Sequence, residues 1–310
     1  MSTTPDVLVH EEDESSLQAL VEYWTEERMA NAVPLPLPTI SQEEFKKLTE
    51  DGENLAPESS QSIDSSDDME ASFGANAVDG IPTQANVNER PFWNGGKLFF
   101  SDDKGNNYSG SAQFCAHNQM LLTAAHCVMN GTTGQWYKNF LFVRAYKHGC
   151  GQMVRVRALG VKTWWSKPPV GENPYEYDYA WLITKEKSGA GWMGLHTHMP
   201  YPSFLSIGYP ENYGGNQYMY RVDGTKGTIS KKIVQMVGNP MKHGCSGGAW
   251  VKITGDKNWV VGLNSFYYPS QPGNLYGPYL DQVFFDLYTY MKNKYLPSLV
   301  AQQAEPALSS

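Results

Sequence analysis

Beyond residue 91 the chain breaks into short β-like runs separated by turn residues, a pattern that restricts the fold more than any other feature. Turn chemistry is abundant, since the sequence holds 29 glycines and 19 prolines. A helical stripe of Val283, Phe284, Leu287 and Met291 follows over residues 281–295. Short antiparallel strands in two groups and one C-terminal helix predict an all-β fold of two packed six-stranded antiparallel barrels. The first group is 97–100, 119–124, 139–146 and 153–161, and the second is 204–208, 217–222, 226–234, 249–253 and 259–267.

The charge of the chain is divided unevenly between its two parts. Residues 1–90 carry 20 acidic and 4 basic side chains, a balance of −16, whereas residues 91–310 carry 12 and 20, a balance of +8. Opposite charges favour association of the two segments, more strongly at low salt. The composition therefore predicts an acidic N-terminal extension over 1–90 and a separate domain over 91–310. A solvated, disordered acidic tail is the alternative interpretation.

Parts of the extension carry helix signals. Leu17, Leu20, Val21 and Trp24 recur at helical spacing behind Ser15 and Ser16, Thr25 is a second candidate cap, and Ser41 with Glu44 forms a capping-box pattern. Between them, Pro34, Pro36 and Pro38 predict an extended run. Residues 51–79 are rich in Ser, Asp, Glu, Asn and Gly, a composition typical of a linker.

Three separate short segments together supply the groups of a nucleophilic catalytic triad. Ser246 lies within a Gly-x-Ser-Gly-Gly turn, and His126 and Asp178 each stand at the edge of an apolar run. A serine hydroxyl needs a base to remove its proton, and the base needs an orienting group. We expect His126 to be the base and Asp178 the orienter. The backbone N–H groups of Gly244 and Ser246 are expected to form the oxyanion hole.

The same segments resemble the signature segments of the chymotrypsin-like serine peptidases. They are Thr123-Ala124-Ala125-His126-Cys127, Asp178-Tyr179-Ala180 and Gly244-Cys245-Ser246-Gly247-Gly248. The resemblance is nearest to secreted trypsin-like and glutamyl-endopeptidase-like enzymes of bacteria and fungi, and it extends to 23–29, which resembles a segment that precedes their catalytic domain. It implies a trypsin-like serine protease that hydrolyses peptide bonds of protein or peptide substrates. It also implies a secreted zymogen, although residues 1–6 show no signal peptide.

The resemblance has two departures that bear on activation and specificity. Cys245 replaces the aspartate that animal members place before the serine, so maturation is expected to rely on removal of a blocking propeptide over 1–90. Asn264 stands where glutamyl endopeptidases carry histidine, and Pro240 where trypsins carry an acid. We therefore expect this chain to have neither the substrate preference of glutamyl endopeptidases nor that of trypsins. The resemblance implies substrate contacts for His243, Asn264, Ser265, Phe266 and Tyr267.

The function hypothesis is a serine endopeptidase acting through an acyl-enzyme, with a catalytically silent, peptidase-like binding protein as the alternative. A further alternative is that the acidic segment targets or recruits rather than inhibits. No cofactor is expected, because His196 with His198 and Cys115 with His117 lack the four-ligand spacing of a zinc site. The scattered basic residues indicate no nucleic-acid partner. No run approaches eighteen apolar residues, so no membrane span is expected.

The four cysteines can pair in three ways if both bridges form. Cys115 and Cys127 flank what reads as a hairpin turn, so they are the first expected pair, and Cys150 with Cys245 is the remainder. Four buried free thiols are the alternative in a reducing compartment.

Overall fold

The computed structural model describes residues 6–50, 60–66 and 80–296. The predicted linker over 51–79 falls mostly outside this range. The helices are α1 (Glu14–Tyr23), α2 (Glu26–Asn31), α3 (Gln42–Glu50) and α4 (Gln282–Tyr295). The strands are β1 (Val7–Glu11), β2 (Val33–Pro34), β3 (Ser62–Ile63), β4 (Thr83–Gln84), β5 (Gly95–Ser101), β6 (Asn107–Phe114), β7 (Met120–Thr123), β8 (Lys138–Lys147), β9 (Cys150–Lys162), β10 (Ala180–Thr184), β11 (Gly194–His196), β12 (Ser203–Gly208), β13 (Tyr220–Ser230), β14 (Ile233–Val237), β15 (Ala249–Thr254), β16 (Lys257–Leu263) and β17 (Asn274–Pro278).

Six antiparallel strands close the first barrel, in the order β5-β6-β7-β10-β9-β8, with β8 paired back to β5. Alternate side chains along these strands point inward, so large apolar residues fill the interior. Phe99, Phe114, Leu122, Leu159 and Leu182 are all fully buried. From the N-terminal extension, β1 adds to the outer edge of β9 in antiparallel register.

The second barrel is built from β12 to β17, hydrogen-bonded in the order β17-β14-β13-β12-β15-β16. An antiparallel bridge between Phe266 and Tyr276 links the end of β16 to β17. The two-barrel prediction is confirmed, but the strand expected over 226–234 is wrong. Lys231, at φ 51°, turns the chain there, so β13 ends at Ser230 and β14 begins at Ile233. Two consecutive lysines suit an exposed two-residue hairpin turn better than a strand interior.

The C-terminal helix α4 packs on the first barrel, as its apolar stripe predicts. The Asp281 side chain caps the helix by accepting a hydrogen bond from the Phe284 N–H at 3.0 Å. Phe284, Leu287 and Met291 are fully buried, and Phe284 contacts Trp181 of β10. Among the helices described, none is both long and apolar enough to cross a membrane.

The helices of the extension begin close to where the sequence predicts. Thr25 accepts a hydrogen bond from the Arg28 N–H, and Ser41 and Glu44 cap each other reciprocally. The first helix differs, because Asp13 rather than Ser15 or Ser16 provides the cap, accepting from the Ser16 N–H at 2.8 Å. A carboxylate at this position accepts the hydrogen bond and also interacts favourably with the helix dipole.

Candidate active site

His126 and Asp178 are brought together by the pairing of β7 with β10. His126 follows β7 in a single 3₁₀ turn, Ala125–Cys127, and Asp178 ends the 3₁₀ turn that precedes β10. The antiparallel register places Ala180 opposite Thr123. The two side chains therefore meet at one end of the first barrel. The sequence had indicated only that each of them stands beside an apolar run.

Asp178 holds His126 through both carboxylate oxygens. Oδ1 accepts the backbone N–H of His126 at 2.8 Å, and Oδ2 lies 2.7 Å from His126 Nδ1. The Ser265 hydroxyl also donates to Oδ2. Because a carboxylate only accepts, Nδ1 carries the proton and Nε2 is left with its lone pair. Burial is the largest single effect and lowers the pKa of His126, but the charge and hydrogen bond of Asp178, together with the neighbouring Cys127, raise it above the usual 6.5, to about 10.

Ser246 lies in a turn that two glycines make possible. Gly244 and Gly247 have φ values of 87° and 78°, which side chains with a Cβ rarely adopt. A Cβ on Gly247 would collide with the Thr123 hydroxyl and the Ser111 carbonyl. The turn that carries Ser246 therefore packs directly on the residues before His126. In the described part of the chain, neither Ser246 Oγ nor His126 Nε2 meets a hydrogen-bond partner.

Ser111 holds this turn from behind, a role that the sequence did not reveal. Its N–H donates to the Ser246 carbonyl at 2.8 Å, and its hydroxyl donates to the Gly244 carbonyl at 2.9 Å. The same hydroxyl accepts the Tyr209 N–H at 3.0 Å, and Thr123 Oγ1 donates to the Ser111 carbonyl. The only sequence signal was a small polar residue among the alternating residues of β6.

The predicted substrate-binding residues occupy different environments. Ser265 is buried and its hydroxyl contacts Asp178. Asn264 is also fully buried, and its side-chain amide is hydrogen-bonded to Ser206, Asn239, Trp250, Ile207 and Cys245. The Phe266 side chain is also fully buried. His243 Nδ1 accepts the Leu37 N–H at 2.9 Å, and the Tyr267 N–H donates to the Pro38 carbonyl at 3.2 Å.

The expected oxyanion-hole donor Gly244 is also engaged by the extension. Its N–H donates to the carbonyl oxygen of Leu35 at 3.1 Å. Beside this contact a cavity of about 400 Å³ remains next to His126. Residues of the extension line one side of it and the first barrel lines the other, including Leu35, Pro36, Pro38, Met129, Trp165 and Tyr175.

The expected disulfides are not formed. All four cysteines lie in the described ranges and carry free thiols, with Cys115, Cys127 and Cys245 buried and Cys150 exposed at the start of β9. Cys115 instead contacts the Gly194 carbonyl. The hairpin between Cys115 and Cys127 therefore does not bring the two thiols together, and Cys150 and Cys245 differ completely in burial.

The two pairs considered as metal ligands, His196 with His198 and Cys115 with His117, make other contacts. His196 Nδ1 lies 2.9 Å from the Tyr201 hydroxyl, and His198 Nδ1 lies 2.8 Å from the Thr197 hydroxyl. His117 Nδ1 accepts the Gln119 N–H at 3.1 Å. Within the described residues no three His, Cys, Asp or Glu side chains are grouped to hold a metal ion.

No protein-family model matches the chain, and no curated protein sequence matches it. Solved structures do. The protease Anisep from Arthrobacter nicotinovorans is 26% identical with a TM-score of 0.57, over 68% of this chain and 98% of its own. The thermostable serine protease AL20 from an extremophilic microorganism is 25% identical with a TM-score of 0.56, over 64% and 96%. A Glu endopeptidase, 17% identical with a TM-score of 0.56 over 69% and 97%, shares the fold. The chain therefore has a chymotrypsin-like fold, and its similarity to these structures supports a serine protease.

Proposed function

We propose that this protein is the precursor of a serine endopeptidase in which Ser246, His126 and Asp178 form the catalytic triad. The observation that carries the proposal is the doubly held His126, whose Nδ1 lies 2.7 Å from Asp178 Oδ2 while Nε2 is free. Ser246 lies close to the residues before His126, because Ser111 donates its N–H to the Ser246 carbonyl and accepts a hydrogen bond from Thr123 Oγ1 at its own carbonyl.

The chemistry follows from this arrangement. Ser246 Oγ attacks the scissile carbonyl carbon as His126 Nε2 takes its proton, and Asp178 stabilises the imidazolium that forms. The N–H groups of Gly244 and Ser246 bind the negative oxygen of the tetrahedral intermediate. The imidazolium then protonates the leaving amine. Water, activated by the same base, hydrolyses the acyl-enzyme and restores Ser246.

The precursor state is supported by the burial of the reactive groups. Ser246 is 0% exposed and His126 is 6% exposed, so both reactive groups are largely shielded from solvent. Residues 1–90 are the proposed propeptide. Their acidic side chains pair with basic ones of the remaining chain, as in Glu11 with Lys294 and Asp64 with Lys257, each at 3.0 Å.

Apolar contacts contribute more to this docking than charge does. The ion pairs are exposed to solvent, and exposed pairs contribute about 0–1 kcal/mol each. In the extension, Trp24, Met29 and Leu37 are each no more than 2% exposed. Full burial of one large apolar side chain contributes about 1.5–3 kcal/mol. The opposite charges of the two segments therefore assist docking, while the apolar side chains supply most of its free energy.

A fluorophosphonate probe tests the triad directly. The activated protein should be labelled, and Ser246→Ala should abolish both labelling and peptide hydrolysis. Labelling that persists after the substitution would reject Ser246 as the nucleophile. A protein that takes no label and cleaves no peptide, before or after removal of the extension, would instead support the catalytically silent binding protein.

A further inference from the structure

Resting on the proposed function, we propose that residues 33–40 form a strap that inhibits the active site by crossing it in the direction opposite to that of a substrate. The strap begins on the first barrel, where Val33 and Pro34 pair in parallel with Tyr108 and Ser109 of β6. It ends on the second barrel, where Thr39 pairs in parallel with Tyr267. Between these points the Leu35 carbonyl occupies the Gly244 N–H.

The alternation of prolines suits the strap to this path. Positions 34, 36 and 38 have no N–H, while the N–H groups of the residues between them are used. The Leu35 N–H donates to the Ser109 carbonyl at 2.8 Å, and the Leu37 N–H donates to His243 Nδ1 at 2.9 Å. A proline-rich segment is already extended before it binds, so ordering it costs little conformational entropy.

The two leucines between the prolines and the isoleucine after them hold the strap in place. Leu35, Leu37 and Ile40 are 8%, 2% and 3% exposed, and each joins a different apolar cluster. The flanking residues add an anchor on either side. Trp24 donates its indole N–H to the Asn139 carbonyl at 2.7 Å, and Phe45 stacks on Tyr268 at 4.2 Å. The strap is therefore fixed to both barrels.

The catalytic geometry sets the direction that a substrate must follow. His126 belongs to the first barrel and must protonate the leaving amine, so the part of a substrate after the scissile bond lies over that barrel. The part before the bond then lies along Ser265 to Tyr267 and approaches the catalytic serine. Ser265 is at Asp178, so the Ser265–Tyr267 segment leads away from the catalytic centre. A substrate would thus run antiparallel to this segment, whereas the strap runs parallel to it.

This reversed chain direction explains how the strap can bind the Gly244 N–H, the proposed oxyanion-hole donor, without being cleaved as a substrate. The chain after the Leu35 carbonyl continues through Pro36 to Thr39, which pairs with Tyr267 on the second barrel, whereas the leaving nitrogen of a substrate would lie on the side of the first barrel. Attack by Ser246 at Leu35 would give an intermediate whose leaving nitrogen receives no proton. Such an intermediate returns to the intact peptide. The strap is thus an inhibitor that the enzyme does not remove by its own attack at this position.

The resistance of Leu35–Pro36 could also arise from proline alone, and Pro36→Ala separates the two causes. We expect full-length P36A to remain intact in strap residues 33–40 during prolonged incubation, as judged by intact mass. A strap bound in the substrate direction would present Leu35 to Ser246 and be cut after that residue. Cleavage after Leu35 in P36A, absent from the double variant P36A/S246A, would overturn the proposal.

Inhibition itself is measured as the rate of fluorophosphonate labelling of the full chain. Leu37→Asp places a charge in an apolar cluster and should raise the labelling rate at least tenfold over wild type. Val21→Ala, at a position 47% exposed on α1, is the matched control and should leave the rate unchanged. Leu37→Ala answers the same question if the aspartate variant does not fold. Equal labelling of wild type and folded Leu37 variants would overturn the strap but leave the triad intact, whereas no labelling of any folded variant would overturn the triad as well.

Discussion

The backbone N–H of Gly244 donates a hydrogen bond to the carbonyl oxygen of Leu35 at 3.1 Å. The N–H that we propose as an oxyanion-hole donor is therefore bound by a peptide carbonyl of the chain itself. The same strap lines the cavity next to His126. Ser246 is fully buried. The proposed catalytic groups and the proposed inhibitory strap thus lie in contact with each other, and the predictions below test the two separately.

Asp178→Asn should reduce kcat of the activated enzyme on the order of 10⁴-fold. An amide can donate as well as accept, so it no longer holds the His126 tautomer that leaves Nε2 free. Steady-state hydrolysis of a peptide substrate measures the loss. A reduction of less than tenfold would show that Asp178 is not the orienting group.

The activity of the enzyme should fall on acidification with a midpoint above pH 6.5. Neutral His126 is the active form. Its pKa lies above the usual 6.5 because Asp178 and Cys127 together outweigh burial, which is the largest single effect and lowers the pKa. Values of kcat/KM should therefore increase as the pH rises through this elevated pKa. The pH profile of kcat/KM measures this pKa. A midpoint at or below pH 6.5 would contradict the assignment of His126, held by Asp178, as the catalytic base.

Trp24→Ala should destabilise the full-length protein by about 3–5 kcal/mol, the usual cost of removing a buried large aromatic side chain. Trp24 is 1% exposed, contacts Phe99 in the first barrel, and donates to the Asn139 carbonyl. Urea denaturation measures the change. Val21→Ala is the control on the same helix and should change stability by no more than about 0.5 kcal/mol.

Ser111→Ala should lower both stability and kcat. The substitution leaves the Tyr209 N–H and the Gly244 carbonyl without their buried partner, and each unsatisfied group costs about 1–3 kcal/mol. Because Ser111 acts only through the turn, kcat should fall while KM changes little, and Ser111→Thr should restore part of the loss. An S111A enzyme with wild-type kcat would show that the turn needs no such support.

Salt should not activate the full-length chain. Raising NaCl from 0.05 to 1 M screens the exposed ion pairs between the extension and the barrels, but it does not weaken apolar burial. The rate of fluorophosphonate labelling should change by less than about threefold. An increase of tenfold or more would show that charge, and not the buried side chains, holds the extension in place.

Much of the catalytic centre was accessible from the sequence because its signals are local. The turn around Ser246 needs glycines where φ is positive, and His126 and Asp178 border apolar strands, so residue type and spacing indicated the chemistry. The C-terminal helix was also predicted, together with its buried face. The strand prediction over 226–234 failed because the chain turns at Lys231, so the segment is divided between β13 and β14.

Other features could not be read from the sequence because they depend on residues that are far apart in the chain. The Leu37 N–H and His243 Nδ1 are separated by 206 positions. Nothing local predicted that they would meet. Ser111 supports the nucleophile turn only because β6 passes behind it, and the free thiols follow from where the strands place each cysteine.

The sequence by itself determined the β-rich architecture, the identities of the three candidate catalytic side chains and an extended segment around its alternating prolines. Periodicity and turn chemistry act between neighbours in the chain, so residue order is enough to reveal them. Only the tertiary structure decided that this segment lies in the catalytic cleft and in which direction it runs. Chain direction is defined relative to β6 and to Tyr267, and those partners are brought to the strap by the packing of the two barrels.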